Sequence, residues 1–203
     1  MIKIHNLRKV FDAKVIFNDF QLEIPNGQFV IFTGKSGAGK TTLLNMIGGL
    51  EQVTDGEIQV DSYTFNSNTR TPRSFFQTKV GFVFQNYGLV DNKTVRQNLE
   101  MVHKKYRTGI SVMQALENVG MERVQDQAVY KLSGGEQQRI ALARLMLKKC
   151  DIILADEPTG SLDWENAQHV IEIIQQLNQN GKTIIMVTHD QRLLSSAERI
   201  VKL

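Results

Sequence analysis

The stretch GKSGAGKTT, Gly34 to Thr42, carries the densest chemistry in the chain. It matches G-x-x-x-x-G-K-[ST], a pattern that cradles nucleotide phosphates when it follows a strand and opens a helix. Gly34, Gly37 and Gly39 let the backbone curl, so that N–H groups along Lys35, Ser36 and Ala38 face one anion. The following helix adds its positive N-terminus. Lys40 can reach the β- and γ-phosphate oxygens as a point charge, the Thr41 hydroxyl suits Mg²⁺, and Thr42 can donate to the α-phosphate. Further on, IILADEP, Ile152 to Pro158, ends an apolar run in two acids. Asp156 can hold Mg²⁺ through water. Glu157 is one residue further, points differently, and can polarise an attacking water. Alone, such a pair reads equally well as carboxylates capping a turn. Beside a phosphate loop it reads as catalysis.

These groups need strands to aim them. Phe29 to Thr33 is a short apolar run leading into the phosphate loop, and TTLLNMIGGL after it reads as helix. IKIHNLRKVF and Val15 to Ile24 alternate apolar and polar residues, as strands with one buried face do. EIQVDSYTF reads as one more such strand, Asn66 to Arg73 as a loop, and Val80 to Phe84 as a second buried strand. From about Asn86 to Tyr130 the chain is polar, with Val112, Ala115, Leu116 and Val119 at helical spacing. This predicts a small helical lobe inserted into the sheet domain. Gly134-Gly135 opens a helix, Asp151 to Ala155 and Thr183 to Thr188 are buried strands, and Asn166 to Asn180 is an amphipathic helix capped at Gly181. A helix and then a short strand are expected over Gln191 to Leu203. Strands alternating with helices predict an α/β fold with a mainly parallel sheet.

Composition narrows the class. The chain has 203 residues, Lys+Arg 24, Asp+Glu 21 and a net charge of +3, with 41% hydrophobic and 22% charged residues. That is an ordinary globular balance and excludes whole-chain disorder. The single cysteine, Cys150, excludes an intramolecular disulfide and reads as a small buried hydrophobe. The start, MIKIHNLRKVF, has no apolar core of a secretory signal, and no apolar run approaches the ~18 residues of a membrane helix. A cytoplasmic protein is expected. His5, His103 and His169 are too scattered to suggest a metal site, and Trp164 reads as either interface or packing.

LSGGEQQR, Leu132 to Arg139, adds the specific signal. With the two motifs above, it resembles the signature of the ABC ATPase superfamily, and the resemblance covers essentially the whole chain. It implies a P-loop NTPase core of RecA type, an antiparallel β subdomain and an inserted α-helical subdomain. The division expected is one domain, 1–203, with 1–85 and 131–203 as core and about 86–130 as helical lobe. It also implies a homodimer sandwiching two ATPs with Mg²⁺, in which Ser133, Gly134, Gly135 and Glu136 meet the partner's nucleotide. A hydroxyl and bare N–H groups at a helix start form a second anion site, and Ser133 can cap that helix as well. By the same resemblance Gln85 contacts Mg²⁺ and water, Asp163 in Ser161-Leu162-Asp163 crosses the dimer interface, and His189 touches the γ-phosphate. Without the resemblance these three read as a polar strand end, a helix cap and a structural histidine. Phe11 stands at the position of an adenine-stacking aromatic, and reads equally as a core aromatic of the first sheet.

LLNMIGGLEQVTDGEI, GFVFQNYGLVDNKTVRQNLE and LADEPTGSLD resemble the MacB/LolD/FtsE-like branch, and NYGLVDNKTVRQNLE is similar to ATPases of bacteriocin-type peptide export. This implies an ATPase at the inner face of the membrane, held there by a separate integral membrane permease and driving export of peptide, lipoprotein or drug. The alternative is an FtsE-like role, gating a membrane complex for cell-wall hydrolysis or signalling. The chain stops soon after His189, so no C-terminal regulatory domain is expected. A nucleic-acid ATPase is disfavoured by the small charge and the absence of sustained heptads. A small-molecule kinase would have no use for LSGGEQQR. Lys40→Ala is expected to abolish ATP turnover, read as phosphate release. Normal hydrolysis by that variant would remove the phosphate-loop assignment.

Overall fold

A computed structural model describes residues 1–203, and two sheets organise it. In chain order, β1 (Ile2–Phe11) and β2 (Lys14–Ile24) form a hairpin, and β3 (Phe29–Thr33) leads through the phosphate loop into α1 (Lys40–Ile47). β4 (Asp55–Val60), β5 (Tyr63–Phe65) and α2 (Arg73–Thr78) precede β6 (Val80–Val83). α3 (Val95–Glu100) and α4 (Val112–Glu117) follow, then α5 (Gly134–Leu147), β7 (Ile152–Asp156), α6 (Trp164–Gln179), β8 (Thr183–Val187) and β9 (Arg199–Lys202). The first sheet is antiparallel with order β2-β1-β4-β5, and the second is parallel with order β6-β7-β8-β3-β9.

The parallel sheet is apolar on both faces, as the uninterrupted hydrophobic strands require. Phe29, Ile31, Ile153, Ala155, Ile184 and Met186 face one core, shared with α3, α4, α5 and α6. Their neighbours Val30, Phe32, Ile152, Leu154, Ile185 and Val187 face a second core, shared with α1 and the antiparallel sheet. Period-two alternation therefore sorts each strand between two hydrophobic layers. Phe32 pairs with Val187, and Val187 with Asp156, so the carboxyl ends of β3, β8 and β7 lie in one row. In open parallel sheets, ligands bind beyond those ends.

Two expectations are corrected, the single strand EIQVDSYTF and the tail helix. EIQVDSYTF is two strands, because Asp61 takes a left-handed turn (φ 49°) that folds β5 back on β4. The loop from Asn66 ends where expected, and α2, which the sequence does not announce, starts at Arg73 and buries Phe75. The helical lobe expected over 86–130 is built from two six-residue helices and three 3₁₀ turns. Each α-helix there opens with a capping box, Thr94 with Gln97 and Ser111 with Gln114, and buries only one face against α5. The tail helix is a 3₁₀ turn, Gln191–Ser196. Cys150 is buried, as its small apolar character suggested.

Phe75 anchors the second core edge-on to Tyr63, Phe65 and Phe76. It is fully buried, so Phe75→Ala is expected to cost about 3–5 kcal/mol, measured by urea unfolding.

Candidate active site

The phosphate loop bridges β3 and α1 with Gly37 (φ 78°) and Gly39 (φ 93°) in left-handed backbone. At Gly39 a side chain would collide with Ile16 and Phe17 of β2, so the antiparallel sheet presses directly on the loop. The N–H groups of Gly37, Gly39, Lys40, Thr41 and Thr42 donate to no backbone carbonyl. They are free for an anion. Lys40 donates from Nζ to the Gly34 and Lys35 carbonyls at 3.0 and 2.9 Å. Lys35 and Ser36 are exposed at the loop crest. One contributor escaped the sequence reading. Lys14 Nζ lies 3.9 Å from where a Cβ on Gly37 would stand, a second ammonium beside the loop. Its only sequence signal was a lysine at the start of a strand.

The strand-end acids reach the loop from the side. Thr41 Oγ1 donates to Asp156 Oδ1 at 3.0 Å. Burial pushes the Asp156 carboxyl up, the Thr41 hydrogen bond opposes this, and the Glu157 charge adds to it. A half-buried carboxylate beside a hydroxyl is a hard-oxygen pair suited to Mg²⁺. Glu157 has a left-handed backbone, φ 46°, and its N–H donates to the Val187 carbonyl at 3.0 Å. Its Oε1 accepts from His189 Nδ1 at 2.9 Å, while Oε2 is buried with no protein partner. Gln85 and Glu157 flank Gly160, whose Cβ would sit 3.4 Å from Gln85 Nε2 and 3.5 Å from Glu157 Cβ.

The signature residues lie elsewhere. Ser133 caps α5, and its hydroxyl and N–H both donate to Glu136 Oε2 at 2.8 Å. Those bonds hold the Glu136 carboxyl below the usual range. The nearest atoms to a Cβ on Gly134 belong to Tyr87 and Leu162, and to a Cβ on Gly135, Asn166. None comes from the phosphate loop. Asp163 caps α6 by accepting from Asn166 N–H at 2.9 Å, and Arg139 Nη1 donates to Asn166 Oδ1 at 2.7 Å. Thus Asp163 joins the signature helix, while His189 pairs with Glu157 beside Asp156 and Gln85 lies across Gly160 from Glu157. Phe11 is no core aromatic: it is 43% exposed at the end of β1, with Lys9 Nζ 4.4 Å from its ring centroid. Trp164 is partly exposed and stacked under Arg192 at 4.3 Å.

A glycine-rich anion cradle, an acid-hydroxyl pair beside it and a carboxylate paired with histidine define a P-loop nucleotide-hydrolysing fold. A family model described as ABC transporter matches residues 17–160. An uncharacterized ABC transporter ATP-binding protein of Methanocaldococcus jannaschii, MJ1508, is 38% identical over 100% of this chain and 95% of its own length. The macrolide export ATP-binding/permease protein MacB of Mannheimia succiniciproducens is 35% identical, and this chain spans 33% of it. The dimeric post-hydrolysis structure of the ATP-binding cassette MJ0796, bound to ADP and Pi, superposes with a TM-score of 0.87 at 33% identity, covering 100% of this chain and 94% of that one. The chain belongs to the ABC transporter family, as an ATPase of its ATP-binding cassette type.

The Glu157 partner raises the His189 pKa above the ordinary 6.5, since the hydrogen bond and the carboxylate charge both favour imidazolium. The pairing is therefore fullest below 6.5 and is lost as pH rises through the raised value. An NMR titration of the imidazole is expected to give a pKa above 6.5, falling back toward it in Glu157→Gln. An unchanged midpoint would mean that the pair does not persist in solution.

Proposed function

We propose that this chain is the ATP-hydrolysing subunit of a bacterial exporter, closing as a homodimer on ATP and passing that motion to a separate membrane permease. The exported class is peptide, lipoprotein or drug. The observation that carries hydrolysis is Glu157, with one oxygen held by His189 and the other buried without a protein partner. A buried acceptor of this kind is a place for a water proton, and His189 fixes the carboxylate that would take it.

The remaining roles follow from position. The N–H groups of Gly37, Gly39, Lys40, Thr41 and Thr42 bind and orient the phosphates, with Lys40 turning from its own loop carbonyls to the anion. The Ala38 N–H, expected to face the anion, instead donates to the Lys35 carbonyl at 3.2 Å. The donors fit Mg²⁺: Thr41 and Asp156 would hold it, with Gln85 adding an amide oxygen. When bound, the ion supplies charge neutralisation at the β- and γ-phosphates. His189 keeps Glu157 oriented. Phe11, exposed beside the Lys9 ammonium, offers a stacking face for adenine.

The dimer reading rests on the separation of the two anion-binding helix starts, since Ser133, Gly134, Gly135 and Glu136 do not adjoin their own chain's phosphate loop. A second copy, meeting its partner through Asp163, would bring the two together. The membrane partner is supported by an exposed groove of about 340 Å³ beside the segment after Gln85, walled by Phe82, Phe84, Met101, Val102 and Tyr106. No helix of the chain is long and apolar enough to cross a membrane, so that partner would be another segment or polypeptide. We divide the chain, as the sequence suggested, into a core of 1–85 and 131–203 and a helical lobe near 86–130 that leans on the groove.

Glu157→Gln is expected to trap an ATP-bound dimer, seen by size exclusion; a variant that stays monomeric with ATP argues against the sandwich. The trapped protein is expected to capture a permease with few membrane helices from native membranes. A captured complex with cell-wall hydrolases would favour the FtsE-like role instead.

A further inference from the structure

Tyr87, two residues past Gln85, has left-handed backbone (φ 63°), and Gly88 follows at φ 58°. A bulky residue adopts that conformation only when its surroundings impose it. Here they do so from both ends. Arg144 of α5 donates from Nη1 to the Gly88 carbonyl at 2.6 Å and from Nη2 to the Tyr87 carbonyl at 3.4 Å. The phenol shares a hydrogen bond with Ser161 Oγ at 3.1 Å. The same oxygen lies 2.6 Å from where a Cβ on Gly134 would stand, so Gly134 is bare because Tyr87 closes over it.

One side chain therefore touches three segments that are distant in sequence: the stretch after Gln85, the loop between β7 and α6, and the first turn of α5. The contact through Asp163, Asn166 and Arg139 already ties α6 to α5, but it leaves out the stretch after Gln85. Arg144 ties that stretch to α5, and the Tyr87 phenol carries it on to Ser161. Arg144 and Phe84, on either side of this stretch, also wall the exposed apolar groove.

We propose that Tyr87 is a positioning residue whose phenol links the stretch after Gln85 to Ser161 and Gly134, so that displacement of the groove wall is felt at both loops. This rests on the ATPase reading above. The hydroxyl matters as well as the ring: phenylalanine would fill the same space but could not hold Ser161.

The test is a double-mutant cycle with Tyr87→Phe and Ser161→Ala in the full chain, which needs no partner protein. Each single variant is expected to lower kcat for ATP about five- to tenfold, the loss of one hydrogen bond, with KM unchanged because the phosphate loop is untouched. The double variant is expected to be no slower than either single one. Trp164, the single tryptophan, lies three residues past Ser161 and gives a second reading without nucleotide. Its emission is expected to shift equally in both single variants and no further in the double. Wild-type kcat in Tyr87→Phe, multiplying effects in the double variant, or unaltered emission in both singles would overturn the linkage. A wild-type protein that does not hydrolyse ATP removes the ATPase reading instead, and the tryptophan cycle then decides the linkage alone.

Discussion

The parallel register of three strands governs the site. Phe32, Val187 and Asp156 are neighbours across β3, β8 and β7, so the loops that follow them start from one row. The phosphate loop, Glu157 and His189 all leave that row within two residues. A slip of one residue would move a strand end by about 3.3 Å. That exceeds what the 3.0 Å hydrogen bond from Thr41 to Asp156 can absorb. The slip is prevented by hydrophobic sorting rather than by the site. Moving β7 by one residue would exchange Ile153 and Ala155 with Ile152 and Leu154 between two differently shaped cores.

On that frame, Glu157 carries strain. Left-handed backbone at a residue with a Cβ costs roughly 1–3 kcal/mol. An extended Glu157 would send its side chain to the opposite face from Asp156. The left-handed turn lets both carboxylates serve one cleft, and the surroundings hold it there. The Glu157 N–H is fixed by the Val187 carbonyl, and the next carbonyl, Pro158, accepts from buried Gln138 of α5 at 2.8 Å. The signature helix thus braces the acid from its middle while its first turn faces elsewhere.

What could be read from the sequence was local. The phosphate loop, the acid pair and the strand before each were legible because contiguous residues write them. The missed features depend on residues far apart. Nothing in DSYTF marks the left-handed turn at Asp61, because the partner that requires it, β4, precedes it as part of the same alternating run. Phe75 gives α2 its reason to form only once Tyr63 and Phe65 are beside it. Phe11 stayed ambiguous because alternation places a strand's side chains on faces without saying where the sheet ends. Tyr87 reads only as part of the polar stretch that opens the helical lobe, since neither Ser161 nor Gly134 is near it in sequence.

The same distance-dependent packing changes the meaning of the signature glycines. By resemblance, Gly134 and Gly135 are bare so that a partner's phosphate can approach. Within this chain each is already required: a Cβ would meet Tyr87 at one and Asn166 at the other. Loss of activity on enlarging either would therefore not by itself report a phosphate contact. Ser133 is more informative. A hydroxyl has one proton, and here it goes to Glu136. In this arrangement Ser133 can accept but cannot donate to an anion, and the Glu136 carboxylate adds a like charge beside the helix start. To donate to any anion, Ser133 must first turn its proton away from Glu136.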